Sequence, residues 1–272
     1  MSFGIDYAFS PHPAVSAMKT AGVKFACRYT SMLPVNDTNG KNLQPGECKT
    51  LLAAGFKVIV VAEEGAARMK GGKSMGVTDA KHADAVVKAL LMPTIPVYFA
   101  CDYDAPQSDQ DEINAYLDGA ASVIGRGRVG MYGGYWPTSR ARAAGKAKFF
   151  WGTVAWSGDR WDAARNPATF MPHIMQGLQV HIGGVNVDVD HSHGADYGQW
   201  PRPAPPPPPP PGGPPFRHTF TGLNSWDSVA KRRGTTAAHL MEYSAQSYTD
   251  ADNQKIAGLR PRRGTPYYTS NP

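Results

Sequence analysis

The sequence predicts an α/β protein, a closed (β/α)8 TIM barrel followed by a proline-rich linker and a small βααβ module, on three observations. Eight short apolar, β-rich runs alternate with amphipathic segments through residues 1–200. No dinucleotide-binding glycine fingerprint accompanies them, which weighs against a doubly wound sheet. Residues 201–215, "PRPAPPPPPPPGGPP", can form neither helix nor ladder hydrogen bonds and read as an extended spacer. The expected domains are therefore 1–200 (barrel), 201–215 (linker) and 216–272 (small domain).

The strand runs, in order, are "FGIDY" (3–7), "VKFACRY" (23–29), "KVIVVAE" (57–63), "PVYFACDYD" (96–104), "RVGMYGG" (128–134), "FFWGTVAW" (149–156), "HIMQ" (173–176) and "VNVDVD" (185–190). Helical spacing falls at 14–21, 79–91, 107–124 and 139–144 between them. A barrel of this kind occupies about 200 to 250 residues, so the first 200 suffice for one. In the small domain, "FRHTFT" and the terminal "RRGTPYYT" read as strands around two helices. Ser225 caps the first helix, and Trp226, Leu240 and Tyr243 are core candidates.

No run approaches the roughly 20 apolar residues that span a bilayer, and the start has neither a basic nor an apolar signal region. Neither membrane insertion nor an export signal is expected. Cys27 and Cys101 sit in apolar runs and read as small core residues; with Cys48 the count is odd and lacks metal spacing. "HSHG" at 191–194 lacks a third well-spaced ligand, so no metal and no cofactor is expected. Residues 216–272 hold eight Lys or Arg against four Asp or Glu, whereas 1–200 hold 19 against 18. The small domain thus favours an anionic partner, and its basic clusters lack the aromatic interleaving of a nucleic-acid binder.

The chemistry lies in where acids fall along the strands. On "PVYFACDYD", alternation puts Tyr98, Ala100, Asp102 and Asp104 on the barrel's inner side. The same pattern puts Gly4 and Asp6 inward on strand one and Asn186, Asp188 and Asp190 inward on strand eight, while strand three ends in Glu63 and Glu64. Acids from four strands gather at the rim where barrel enzymes build their sites, and their repulsion should hold a proton on at least one near neutral pH. Arg28 is a candidate partner, for an acid or for substrate. Tyr7, Tyr29, Tyr132, Tyr135, Trp136 and Trp156 offer flat faces suited to sugar rings.

"GIDY", "VYFACDYD", "VGMYGGYW" and "GVNVDVD" together resemble the glycoside-hydrolase-like barrels of domain-of-unknown-function family 1906, common in actinobacteria and their phages. That family is similar to the glycoside hydrolase family 25 muramidases. The resemblance implies a sugar-polymer site with Asp6, Asp102, Asp104 and Asp188 in the muramidase acid positions, Asp104 standing where those enzymes carry a glutamate proton donor. Glu63 resembles a strand-three glutamate of the actinobacterial relatives. The general acid is then Asp104 or Glu63, with Asp102 stabilising positive charge at the anomeric carbon or orienting the acetamido group, and with Asp6 and Asp188 tuning the site. Arg28, Tyr7, Tyr132, Trp156 and Asp190 are the expected substrate contacts.

Residues 216–272 resemble a divergent LysM domain, which implies binding to N-acetylglucosamine polymers. The expected function is a peptidoglycan-directed, lysozyme-like glycoside hydrolase, a monomer acting on cell-wall glycan. The expected location is the host cytoplasm before release, as for a phage lysin, or the virion. The rival expectation is a catalytically inactive wall-binding or virion structural protein.

Overall fold

Alternation along the apolar runs produces a barrel closed by eight strands: β1 (Ser2–Asp6), β2 (Phe25–Thr30), β3 (Lys57–Ala62), β4 (Val97–Cys101), β5 (Val129–Gly133), β6 (Phe149–Thr153), β7 (Ile174–Ile182) and β8 (Val185–Ser192). The computed structural model describes residues 1–32, 40–162, 170–203, 216–219 and 266–269. Five helices fill the crossovers from β1 to β6: α1 (Val15–Thr20), α2 (Pro45–Ala53), α3 (Gly72–Ala89), α4 (Gln110–Ile124) and α5 (Tyr135–Ala143). The fold class is the α/β barrel expected.

Three helices differ from expectation, α5 starting at Tyr135 rather than Ser139. Helix α2 was not anticipated, because "PGECKTLLA" buries only Cys48 and Leu51 and so carries little helical periodicity. Helix α3 starts at Gly72 rather than near Asp79; its first turns carry Gly72 and Gly76, poor helix formers that leave no helical signal in the sequence. Packing explains its glycines: a Cβ on Gly76 would lie 1.9 Å from the Tyr116 carbonyl oxygen of α4.

Strands β1 to β7 run parallel, but β8 does not. Gly183 and Gly184, at φ +61° and +82°, form the two-residue turn that closes a hairpin, and β8 pairs antiparallel with both β7 and β1. Here the architecture departs from a helix-connected eightfold repeat. The consequence reaches the site: Asp188 pairs with Asp6 at the rim, whereas Asp190 pairs with Gly4 one level deeper.

Inside the barrel, Phe25, Cys27, Ile59, Tyr98, Phe149 and Trp151 fill the interior, while Val97, Phe99 and Cys101 face the helices. Fully burying each large apolar side chain contributes about 1.5–3 kcal/mol. Two glycines make room: a Cβ on Gly4 would meet the Phe25 ring at 2.3 Å and one on Gly130 the Tyr98 ring at 2.7 Å. All three cysteines are free and buried.

The chain divides into two compact units, Met1–Ala204 and Pro205–Pro272. In the second, β9 (Phe216–Thr219) and β10 (Pro266–Thr269) pair antiparallel. The helices expected between them, with Ser225, Trp226, Leu240 and Tyr243, lie outside the described residues, as does the spacer from Ala204 to Pro215.

Candidate active site

The interior opens at the rim formed by the C-terminal ends of the parallel strands. A cavity of about 190 Å³ there is lined by Glu63, Asp102, Asp188, Tyr29, Tyr132 and Gln176, with Trp151, Thr153 and Trp156 on its far side. Adjoining it through Tyr29 and Asp188 is a second cavity of about 400 Å³, between the loop after β1 and the β7–β8 hairpin.

Each acid is placed by its strand end. Asp102 follows β4, and its backbone N–H donates to Ala66 O at 3.1 Å, which ties it to the loop after β3. Glu63 follows β3 and is tied to β2 through Thr30 O at 3.1 Å. Residues beyond β2 return to pair with it, Leu43 N donating to Tyr29 O at 2.9 Å, and this brings Lys41 to the cleft. Lys41 Nζ lies 3.0 Å from Glu63 Oε1 and over the Tyr29 ring.

The electrostatics separate the acids. Burial, reinforced by the neighbouring Glu63 carboxylate and opposed by Lys41, pushes Asp102 up to about 6. Burial also raises Asp188, against a hydrogen bond from Gln179. Asp6 is buried and held by two neutral donors, Tyr29 Oη to Oδ1 at 2.7 Å and Gln176 Nε2 to Oδ2 at 2.8 Å. Gln176 Oε1 in turn accepts from Tyr132 Oη at 2.8 Å. Burial and the adjacent Asp188 raise Asp6; burial and the adjacent Asp6 raise Asp190 further. The cleft thus sets a carboxyl that keeps its proton up to about pH 6 beside an ion-paired one, a division suited to acid and base work.

Several expectations require correction. Asp104 is exposed and lines neither cavity: β4 ends at Cys101, so the alternation that turned Asp104 inward stops before reaching it. Asp190 is fully buried below the cleft because β8 runs antiparallel. Arg28 faces the helix layer, fully buried, with Nε 2.7 Å from Glu47 Oε1 and further bonds to the carbonyls of Tyr7 and Gly40. Tyr7 donates to the same Glu47 at 3.1 Å and, though buried, lines the second cavity. Arg28, Glu47 and Tyr7 therefore pin the loop that walls that cavity. Asp6, Glu63, Asp102, Asp188, Tyr132 and Trp156 are brought together around the two cavities.

Trp156 sits at φ +56°, a left-handed backbone rare for a bulky residue. Ser157 holds that turn, its Oγ donating to Thr153 O at 2.7 Å and accepting from Tyr135 N at 2.9 Å. The indole is 41 % exposed at the cleft.

Sequence reasoning missed Lys41, Gln176 and Glu47. Lys41 lies in a loop without periodicity, and Gln176 was read as the end of a strand that continues to Ile182. Among the described residues, no group of three or more His, Cys, Asp or Glu side chains is arranged to hold a metal.

The family described as "Rv2525c-like, glycoside hydrolase-like domain" matches residues 16–193. The chain belongs to this family. Over 207 residues it is 30 % identical to a Mycobacterium tuberculosis protein named "Putative peptidoglycan hydrolase Rv2525c", covering 72 % of this chain and 82 % of that one. The crystal structure of the Tat-secreted M. tuberculosis protein Rv2525c with HEPES superposes with a TM-score of 0.64 at 28 % identity, covering 73 % of this chain and 98 % of the other. The barrel fold is also that of GHIP, a glycosyl hydrolase 25 of Streptococcus pneumoniae, at a TM-score of 0.50 and 16 % identity, covering 71 % of this chain and 87 % of that one.

Proposed function

We propose that this chain hydrolyses the glycan strand of peptidoglycan, with Asp102 as the proton donor. The observation that carries the reading is the pairing of Asp102, raised to about 6, with a Glu63 carboxylate held by Lys41 in the same cavity. A glycosidase needs one carboxyl that keeps its proton for the leaving oxygen and a second that remains anionic. Burial and the neighbouring charge supply the first, and Glu63, ion-paired with Lys41, is placed to serve as the second. Asp188 and the Tyr29 and Tyr132 hydroxyls surround the space where a sugar would sit. Trp156 offers it an aromatic face, and the adjoining cavity extends the cleft along a polymer. Similarity to the M. tuberculosis relative supports peptidoglycan as the polymer.

One observation favours a second reading, a wall-binding protein without catalysis: Asp104, in the position of the muramidase proton donor, stands outside the cleft. Incubation of the full chain with actinobacterial cell walls tests both. Hydrolysis predicts new reducing ends from wild type and none from Asp102→Asn; co-sedimentation without reducing ends would leave only the binding reading.

A further inference from the structure

Asp190 is wholly buried one level below the cleft, paired with Gly4 on β1 and Gln176 on β7. The Asp190 carboxyl interacts directly with that of Asp6 on β1. Trp151 Nε1 donates to Oδ1 of Asp190 at 2.9 Å, while Oδ2 has no donor. The other titratable groups facing it are the Cys27 thiol on β2, the phenols of Tyr98 on β4 and Tyr132 on β5, and no cation appears among them.

Two adjoining carboxyls in such a place cannot both ionise, so at least one proton stays with the pair. Hydrogen bonding decides where it sits. Asp6 already accepts from Tyr29 and Gln176, one donor on each oxygen, which suits an anion. An anionic Asp190 would leave Oδ2 with at most the weak Cys27 thiol as donor in a dry interior; a protonated Oδ2 donates to Asp6 and leaves no polar atom of the pair over.

We propose that Asp190 is a neutral carboxylic acid whose hydrogen bond fixes Asp6 as an acceptor, and through Asp6 orients Tyr29, Gln176 and Tyr132 at the cleft. Asp190 is thus a positioning residue that touches no substrate. Only the kinetic arm of its test rests on the hydrolase reading.

In the full chain, Asp190→Asn retains an acceptor for Trp151 and a donor for Asp6, whereas Asp6→Asn can no longer accept from both Tyr29 and Gln176. The wild-type pair holds a proton that it surrenders on unfolding, so wild type loses stability relative to Asp190→Asn as pH rises from about 4 to 8. The expected result is a Tm difference in favour of Asp190→Asn that widens over that range, with its near-ultraviolet tyrosine circular dichroism unchanged and that of Asp6→Asn altered. A difference independent of pH overturns the shared proton. An altered tyrosine signal in Asp190→Asn with an unaltered one in Asp6→Asn overturns the positioning role. In wall hydrolysis, Asp190→Asn should keep the wild-type pH profile, and Asp6→Asn should lose roughly tenfold or more in kcat with little change in KM. Should wild type release no reducing ends, the hydrolase reading fails, and the Tm and dichroism comparisons alone decide the proposal.

Discussion

Burial and the Glu63 carboxylate hold the Asp102 proton to about pH 6, so stability and activity at this residue are coupled with opposite signs. An acid whose folded pKa is raised stabilises least when ionised: wild type should lose stability as pH climbs from the ordinary carboxylate range to about 6, then level off. Asp102→Asn removes that loss. Its Tm should match wild type near pH 4 and exceed it above pH 6 by about 2–4 °C, the equivalent of about 1 kcal/mol, measured by thermal melts across pH. Wall hydrolysis should fall by about 10²–10⁴-fold, the usual contribution of a general acid. Asp104→Asn, exposed and outside both cavities, should retain near wild-type activity; loss as large as in Asp102→Asn would return the donor role to Asp104. Glu63→Gln makes a different demand. It removes the second carboxylate, so activity should fall steeply; it also removes the repulsion from Asp102 and leaves Lys41 to act unopposed, so the alkaline limb of the residual activity should move to lower pH by roughly one unit. An unmoved limb would mean that Asp102 is not the titrating acid.

At the scale of elements, β8 governs which acids reach the cleft, and the two glycines before it govern β8. Gly184 lies at φ +82° with open space where a Cβ would go, so Gly184→Ala tests backbone conformation without a clash. The expected cost is about 1–2 kcal/mol, read as a lower Tm. An unchanged Tm would show that the turn tolerates a side chain and does not depend on its left-handed backbone. The direction of β8 is legible in the sequence: "QVHIGGVNVDVD" is two alternating runs around Gly-Gly, a hairpin signature. Taking strand seven as only 173–176 hid the first run. Alternation succeeded where strands are long and closed on both sides, placing Tyr98 and Ala100 inward and Phe99 outward on β4. It failed past Cys101, where the ladder stops and the pleat no longer dictates direction, and Asp104 is the casualty. Lys41 was illegible for a related reason: an isolated bridge between Tyr29 and Asn42, not a periodic element, carries it to the cleft.

At the scale of the whole molecule, charge and chemistry are divided between two units. Residues 1–200 are nearly neutral, with 19 basic and 18 acidic side chains, and hold the acids of the cleft; 216–272 hold eight basic against four acidic. On the proposed reading, an acidic cleft gains nothing from proximity to an anionic wall, and a basic module on a proline-rich spacer would retain the chain while the barrel reacts. A chain ending after residue 204 contains the whole barrel, whose strands and helices close on themselves, and should melt within about 2 °C of the full chain. Its retention on purified cell walls should fall. The deficit should be largest at low ionic strength and shrink as salt rises, because the Debye length is about 10 Å at 0.1 M and the attraction lost with the module is of long range. Sedimentation of both chains with walls across a salt series measures this. Equal retention at low salt would remove the targeting role from residues 216–272, and a deficit that persisted undiminished in high salt would assign that role to contacts other than charge.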